Sequence, residues 1–175
     1  INLYYTEWVA GAWKDVQSVA FNSNEYSTGH PALSPDGNTL FFVSDMPGGK
    51  GMSDIYKVSV NKDGSLGTPE RLGDNINTEG KEVFPYMDAN GDLYFSSTGH
   101  MGLGGLDVFY AAANGSGFGK PKNIGLGINS SDDDFAFIYN PSTQEGYLSS
   151  NRAGGKGSDD IYTTKQLEPL CEVEM

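Results

Sequence analysis

Short apolar and aromatic runs recur along the chain, separated by stretches rich in glycine, proline, asparagine and aspartate. Leu40-Phe41-Phe42-Val43-Ser44, Leu93-Tyr94-Phe95-Ser96-Ser97 and Gly146-Tyr147-Leu148-Ser149-Ser150 have the length and side chains of strands. In the first run the apolar residues are consecutive, which is the pattern of a strand covered on both faces. No convincing 3.6-residue periodicity of useful length appears, so helix is expected to be scarce. Upstream, Pro31-Ala32-Leu33-Ser34 and Phe84-Pro85-Tyr86-Met87 lead into the turns Pro35-Asp36-Gly37 and Ala89-Asn90-Gly91, so each pair reads as a hairpin. On this reading one strand begins at Pro31 with His30 beside it, and His100 lies in a loop between strands.

The pattern repeats at a fixed interval. Asp54-Ile55-Tyr56, Asp107-Val108-Phe109 and Asp160-Ile161-Tyr162 are spaced by 107 − 54 = 53 and 160 − 107 = 53 residues. Each triplet follows a glycine-rich loop in which Gly49, Gly102 and Gly155 keep one register and Gly51, Gly104 and Gly157 another. After the triplets, Lys57 to Val60 and Tyr110 to Ala113 continue as strands and turn at Asp63-Gly64 and Asn114-Gly115. A short fourth strand is expected within Pro69 to Leu72, Pro121 to Ile124 and Val16 to Val19. Proline there suits an outer edge, where no N–H has to be donated. Trp13 aligns with Leu66 and Phe118 and is expected to be an apolar anchor at the turn between third and fourth strands.

Four short antiparallel strands per 53 residues predict an all-β fold, a β-propeller of which about three blades are present here. The expected organisation is residues 1–19 as the end of one blade, 30–72 and 83–124 as full blades, and 134–164 as an incomplete blade. Residues 165–175, with Pro169 and Cys171, are expected to be a linker toward a following domain. At roughly 3.3 repeats the chain falls short of the four or more blades of a closed propeller, so further blades are expected before Ile1.

Composition sharpens this picture. Glycine makes up 24 of 175 residues, roughly twice the usual share, which fits a turn-rich chain. A net charge of −12 would repel a polyphosphate over most of the surface, which argues against nucleic acid. No apolar run is long enough for a transmembrane helix. The single cysteine, Cys171, rules out an internal disulfide.

Gly-Gly-Lys-Gly-x-x-Asp resembles a phosphate cradle, but such cradles open a helix, whereas this loop runs into a strand. The reading adopted is structural: the glycines make tight turns, and Asp54, Asp107 and Asp160 cap them through side-chain hydrogen bonds. Asp132-Asp133-Asp134 and Asp159-Asp160 carry the hard oxygens that calcium takes but lack the alternating spacing of a calcium loop, so a solvated turn is expected, with Asp134 opening a blade. His30 and His100 occupy non-equivalent repeat positions and no Gly-x-Ser-x-Gly elbow accompanies them, which argues against a Ser-His-Asp hydrolase. Arg71 and Arg152 are too few for the arginine triad of sialic-acid-cleaving propellers. No catalytic, cofactor or metal residue is therefore assigned. Trp8, Trp13, Tyr26 and Tyr139 offer stacking faces for a glycan, which leaves a glycan-binding or glycan-processing propeller as the alternative. The loops at Asn22 to His30 and Asn77 to Lys81 are expected to be exposed and variable.

Ser34-Pro35-Asp36-Gly37-Asn38-Thr39-Leu40-Phe41-Phe42-Val43-Ser44-Asp45, and Ser149-Ser150-Asn151-Arg152-Ala153-Gly154-Gly155 followed by Asp160-Ile161-Tyr162, resemble TolB-like, WD-repeat-like propeller repeats. Leu72-Gly73-Asp74-Asn75-Ile76-Asn77-Thr78-Glu79-Gly80, with Gly104-Gly105-Leu106-Asp107-Val108-Phe109, looks more narrowly like OmpA-family envelope proteins of the Bacteroidota. The resemblance covers about Tyr4 to Thr164, although Asn2-Leu3-Tyr4 stands where Asp-Ile-Tyr is expected. It implies a non-enzymatic interaction scaffold on the periplasmic side of the outer membrane, linked to type IX secretion and gliding. Envelope proteins are the implied partners, with peptidoglycan held only by a separate C-terminal domain.

Overall fold

The computed structural model describes residues 1–115 and 117–166. Along the chain the strands are β1 (Tyr4–Tyr5), β2 (Trp8–Val9), β3 (Ala12–Trp13), β4 (Gln17–Ser18), β5 (Thr28–Leu33), β6 (Thr39–Ser44), β7 (Asp54–Ser59) and β8 (Glu70–Arg71). They continue as β9 (Glu82–Met87), β10 (Leu93–Ser97), β11 (Asp107–Ala111), β12 (Ala113–Asn114), β13 (Gly117–Phe118), β14 (Lys122–Asn123), β15 (Asp134–Asn140), β16 (Glu145–Ser150) and β17 (Asp160–Lys165). No helix occurs among the described residues. The long runs became strands because each buries aromatic and β-branched side chains on the pleated surface.

Two sheets are complete four-stranded antiparallel blades, ordered β5-β6-β7-β8 and β9-β10-β11-β14. A three-stranded blade, β15-β16-β17, follows them, and β1 paired with β4 forms a half-blade before them. Small hairpins, β2-β3 and β12-β13, link third to fourth strands. The blades stack face against face through three apolar seams. Leu3 and Val19 of the half-blade meet Phe42, Tyr56 and Val58. Phe41, Val43, Ile55, Leu72 and Ile76 meet Val83, Leu93, Phe95 and Phe109 of the next blade. Val108 meets Phe137 and Leu148. Burial on both faces of a strand is what the consecutive apolar run at 40–43 required. The sheets do not close into a ring, so the structure is a partial propeller.

At the two ends, seam positions lie bare. Ile161 is the counterpart of Ile55 and Val108, both 0% exposed, yet it is 78% exposed because no further sheet among the described residues covers it. Trp13, expected as a buried anchor, is 66% exposed and meets Trp8 edge-on with centroids 5.2 Å apart. Its counterparts explain the difference. Leu66 packs into the seam with the preceding half-blade, and the Phe118 ring lies 5.9 Å from that of Phe41 in the preceding blade. Each such hairpin thus reaches back one blade, and Trp13 has no blade behind it within the chain.

A second correction concerns the strand starts. β5 and β9 begin at Thr28 and Glu82, so Pro31 and Pro85 fall inside the strands, and His30 belongs to β5 rather than flanking it. Both prolines sit where the pairing register shifts, a bulge at which a missing N–H costs no ladder bond. At the far end β17 extends through Lys165, which pairs with Glu145; residues 167–175 of the expected linker, with Cys171, lie outside the described residues.

Candidate functional site: the channel wall

The first strand of each blade forms the inner wall, with β5 against β9 and β9 against β15. All three carry the same irregularity. The bulges place His30-Pro31 opposite Phe42, Phe84-Pro85 opposite Phe95, and Ala136-Phe137 opposite Leu148. The leading residue of each bulge, His30, Phe84 or Ala136, has a left-handed backbone with φ of 48°, 51° and 53°. For residues with a Cβ this conformation costs roughly 1–2 kcal/mol each. Strain of that kind concentrates at sites whose geometry the fold over-determines.

Contacts between blades hold the three bulges in place. The His30 imidazole stacks on the Phe84 ring at 4.0 Å and 11°, and Phe84 stacks in turn on Phe135 at 5.2 Å. The Phe84 N–H donates to His30 Nδ1 at 3.3 Å, and Tyr86 donates its hydroxyl to the Tyr139 carbonyl at 2.8 Å. His30, Phe84 and Tyr86 line an open cavity of about 310 Å³ with Pro31, Leu33 and Ile138. His30 and Tyr86 are the titratable groups of this lining. Burial pushes the His30 pKa down and the Tyr86 pKa up, so both are held neutral. The wall is apolar and uncharged, and its polar atoms are few and fixed, which suits binding an extended apolar or aromatic segment.

The repeat positions lie away from this wall, in the loops entering the third strands. Asp54 accepts the N–H groups of Lys50 and Gly51, Asp107 those of Leu103 and Gly104, and Asp160 those of Lys156 and Gly157. Gly49, Gly102 and Gly155 pack so closely that an added Cβ would collide with the Asp54, Asp107 and Asp160 carboxylates. Gly51 and Gly104 face the loop of the next blade, whereas Gly157 faces only its own loop. In the fold these residues shape turns.

Of the acidic run, Asp134 is fully buried and its carboxylate is engaged by Ser130 and by the Arg152 guanidinium. Asp133 accepts the Leu106 N–H at 2.7 Å. The expected solvated turn is thus a structural ion pair and a loop cap. No group of three or more His, Cys, Asp or Glu side chains arranged to hold a metal is found among the described residues. Heating the chain with calcium or with excess chelator is expected to give the same midpoint; a rise with calcium would reassign the acidic loops as a metal site.

Arg71 is engaged with Asp74, far in sequence and role from Arg152, whose guanidinium also lies 5.1 Å over the Tyr162 ring. His100 donates from Nε2 to the Ile76 carbonyl at 2.8 Å and packs against Phe95 and Phe109. The Tyr26 and Tyr139 hydroxyls are tied to the Phe21 carbonyl and Gln166. The loop expected to be exposed at 77–81 begins with a buried residue: Asn77 is 0% exposed and is bonded to the backbone of Ile55 and Leu72. Asn22 does the same for Leu3, and Asn129 for Val108. Sequence reading missed these clamps, and it missed the strained bulges.

No family model matches the sequence, and no curated protein matches it. Among solved structures, the chain is similar to TolB from Acinetobacter baumannii, with a TM-score of 0.59 over 94% of this chain and 14% sequence identity. The match spans 35% of the length of that TolB chain. At this identity the likeness speaks to the fold: the chain is folded as part of a TolB-like β-propeller.

Proposed function

We propose that the chain is a non-catalytic protein-interaction scaffold of the bacterial cell envelope, whose channel wall receives a segment of a partner protein. The observation that carries this reading is the wall itself: three consecutive inner strands hold left-handed residues around one apolar cavity. The sequence resemblance to OmpA-family proteins supports a place on the periplasmic side of the outer membrane, in a peptidoglycan-associated protein linked to type IX secretion. It also supports envelope proteins as partners. An acidic surface adds electrostatic preference for a basic partner.

A photo-crosslinking residue placed at Leu33, an exposed lining position, tests this in the native envelope. A discrete envelope protein is expected to be captured from Leu33 and not from Asp63, which lies on an outer loop. Equal capture from both positions would remove the channel wall from the interaction. Turnover of a defined oligosaccharide by the complete propeller would replace the scaffold reading with glycan processing.

A further inference from the structure

We propose that His30 is a proton-operated latch on the channel wall: neutral, it ties the bulges of β5 and β9 together, and protonated, it lets them part. Its meaning for binding rests on the channel-wall reading above, but the latch itself is a property of the chain without any partner.

The geometry assigns the protonation state. Nδ1 accepts the Phe84 N–H, so the ring proton of the neutral imidazole sits on Nε2. Protonation adds a hydrogen to Nδ1, which then points at the N–H it had been accepting, and the bond becomes a donor facing a donor. Both residues tied by the bond are left-handed, so the fold loses a restraint where the backbone is already strained. The new charge would also lie in a lining that offers it no carboxylate.

Charged groups around the ring are few and already engaged. On β9, Glu82 accepts from Thr78 and Ser97; on β15, Asp134 is held by Ser130 and Arg152. β6 carries no ionisable side chain, and Tyr86 on β9 is neutral. The Ile1 ammonium and the Asp45 carboxylate both meet Ser27, at the foot of β5.

Burial lowers the His30 pKa in the fold below its value of about 6.5 in the unfolded chain. The unfolded chain therefore binds the extra proton first, and stability rises with pH. The contribution of the latch is complete above about pH 6.5 and is lost as the pH falls through the lower value in the fold.

The test is a titration of the isotope-labelled chain from about pH 7.5 to pH 4.5, following the His30 ring nitrogens and the Phe84 amide by NMR. The Phe84 amide is expected to shift with the same midpoint as the ring, below 6.5. Its protection from exchange, corrected for the intrinsic rate, is expected to fall roughly fivefold. His30→Asn keeps an acceptor but does not titrate, and is expected to abolish the response. A Phe84 amide that stays fixed while His30 titrates would overturn the latch, as would an unchanged response in His30→Asn. Should that variant fail to fold, the coincidence of midpoints in the native chain decides. Loss of crosslinking from Leu33 would leave this result untouched, so the two readings fail separately.

Discussion

Replacing Asn77 with alanine is expected to lower the free energy of unfolding by about 3 kcal/mol, read as an earlier urea midpoint at unchanged slope. The Asn77 amide makes three backbone bonds inside the protein: Oδ1 accepts the Ile55 N–H at 2.8 Å, and Nδ2 donates to the carbonyls of Ile55 and Leu72 at 3.0 Å each. Ile55, Leu72 and Ile76 are all buried, so no water replaces the amide after truncation. An orphaned buried donor costs roughly 1–3 kcal/mol, and the void left by the amide adds to it. Asn129→Ala should behave alike, since Asn129 makes the same pair of bonds to Val108. Asn75→Ala is the control. Asn75 also donates to two carbonyls, those of Phe118 and Gly119, but it is exposed and should cost about 1 kcal/mol or less. Equal losses at 75 and 77 would show that the clamp is not what holds the third strand.

These asparagines also mark how far the sequence could be read. The 53-residue interval exposed the aspartate and glycine positions because they keep strict register with the strands they precede. The asparagines lie in the loops after the fourth strand, 19, 22 and 21 residues from the backbone they clamp, so comparison in fixed register passes over them. The channel wall was hidden for another reason. His30, Phe84 and Ala136 share a backbone conformation but no side-chain chemistry, and none is the glycine that announces a left-handed turn. Pro31 reads in the sequence as the start of a strand, whereas the fold sets it, like Pro85, at a bulge within one. Trp13 failed as an anchor because its partner surface would come from a neighbouring sheet, which local pattern does not encode. Strand type and order are local and repeated, so they were legible; clamps and cavities depend on what the loops bring together.

Alanine at Gly51 or Gly104 is expected to destabilise the chain by about 3 kcal/mol, while alanine at Gly157, the same position of the repeat, should cost less than about 1 kcal/mol. The difference lies in what stands opposite. A methyl at Gly51 would be driven into the carbonyl oxygens of Thr78 and Gly80 in the next blade's loop, and one at Gly104 into those of Asp132 and Ser130. These are backbone atoms, so relief requires the two loops to part. At the first seam that motion breaks the bond from the Met52 N–H to the Gly80 carbonyl and the bond from the Glu82 N–H to the Ser53 carbonyl. At the second it breaks the bond from the Asp134 N–H to the Leu106 carbonyl. At Gly157 the nearest atom is the Asp159 carbonyl oxygen of the same loop, 3.3 Å away, which a small local shift relieves. Chemical denaturation of the three variants separates two explanations of the repeated spacing. If glycine is needed for the turn itself, all three substitutions cost alike; if it is needed for close approach between blades, only the two at closed seams are costly. The second outcome would make each glycine-rich loop a mortise for the following blade, placing the demand for glycine on the interface rather than on the loop that carries it.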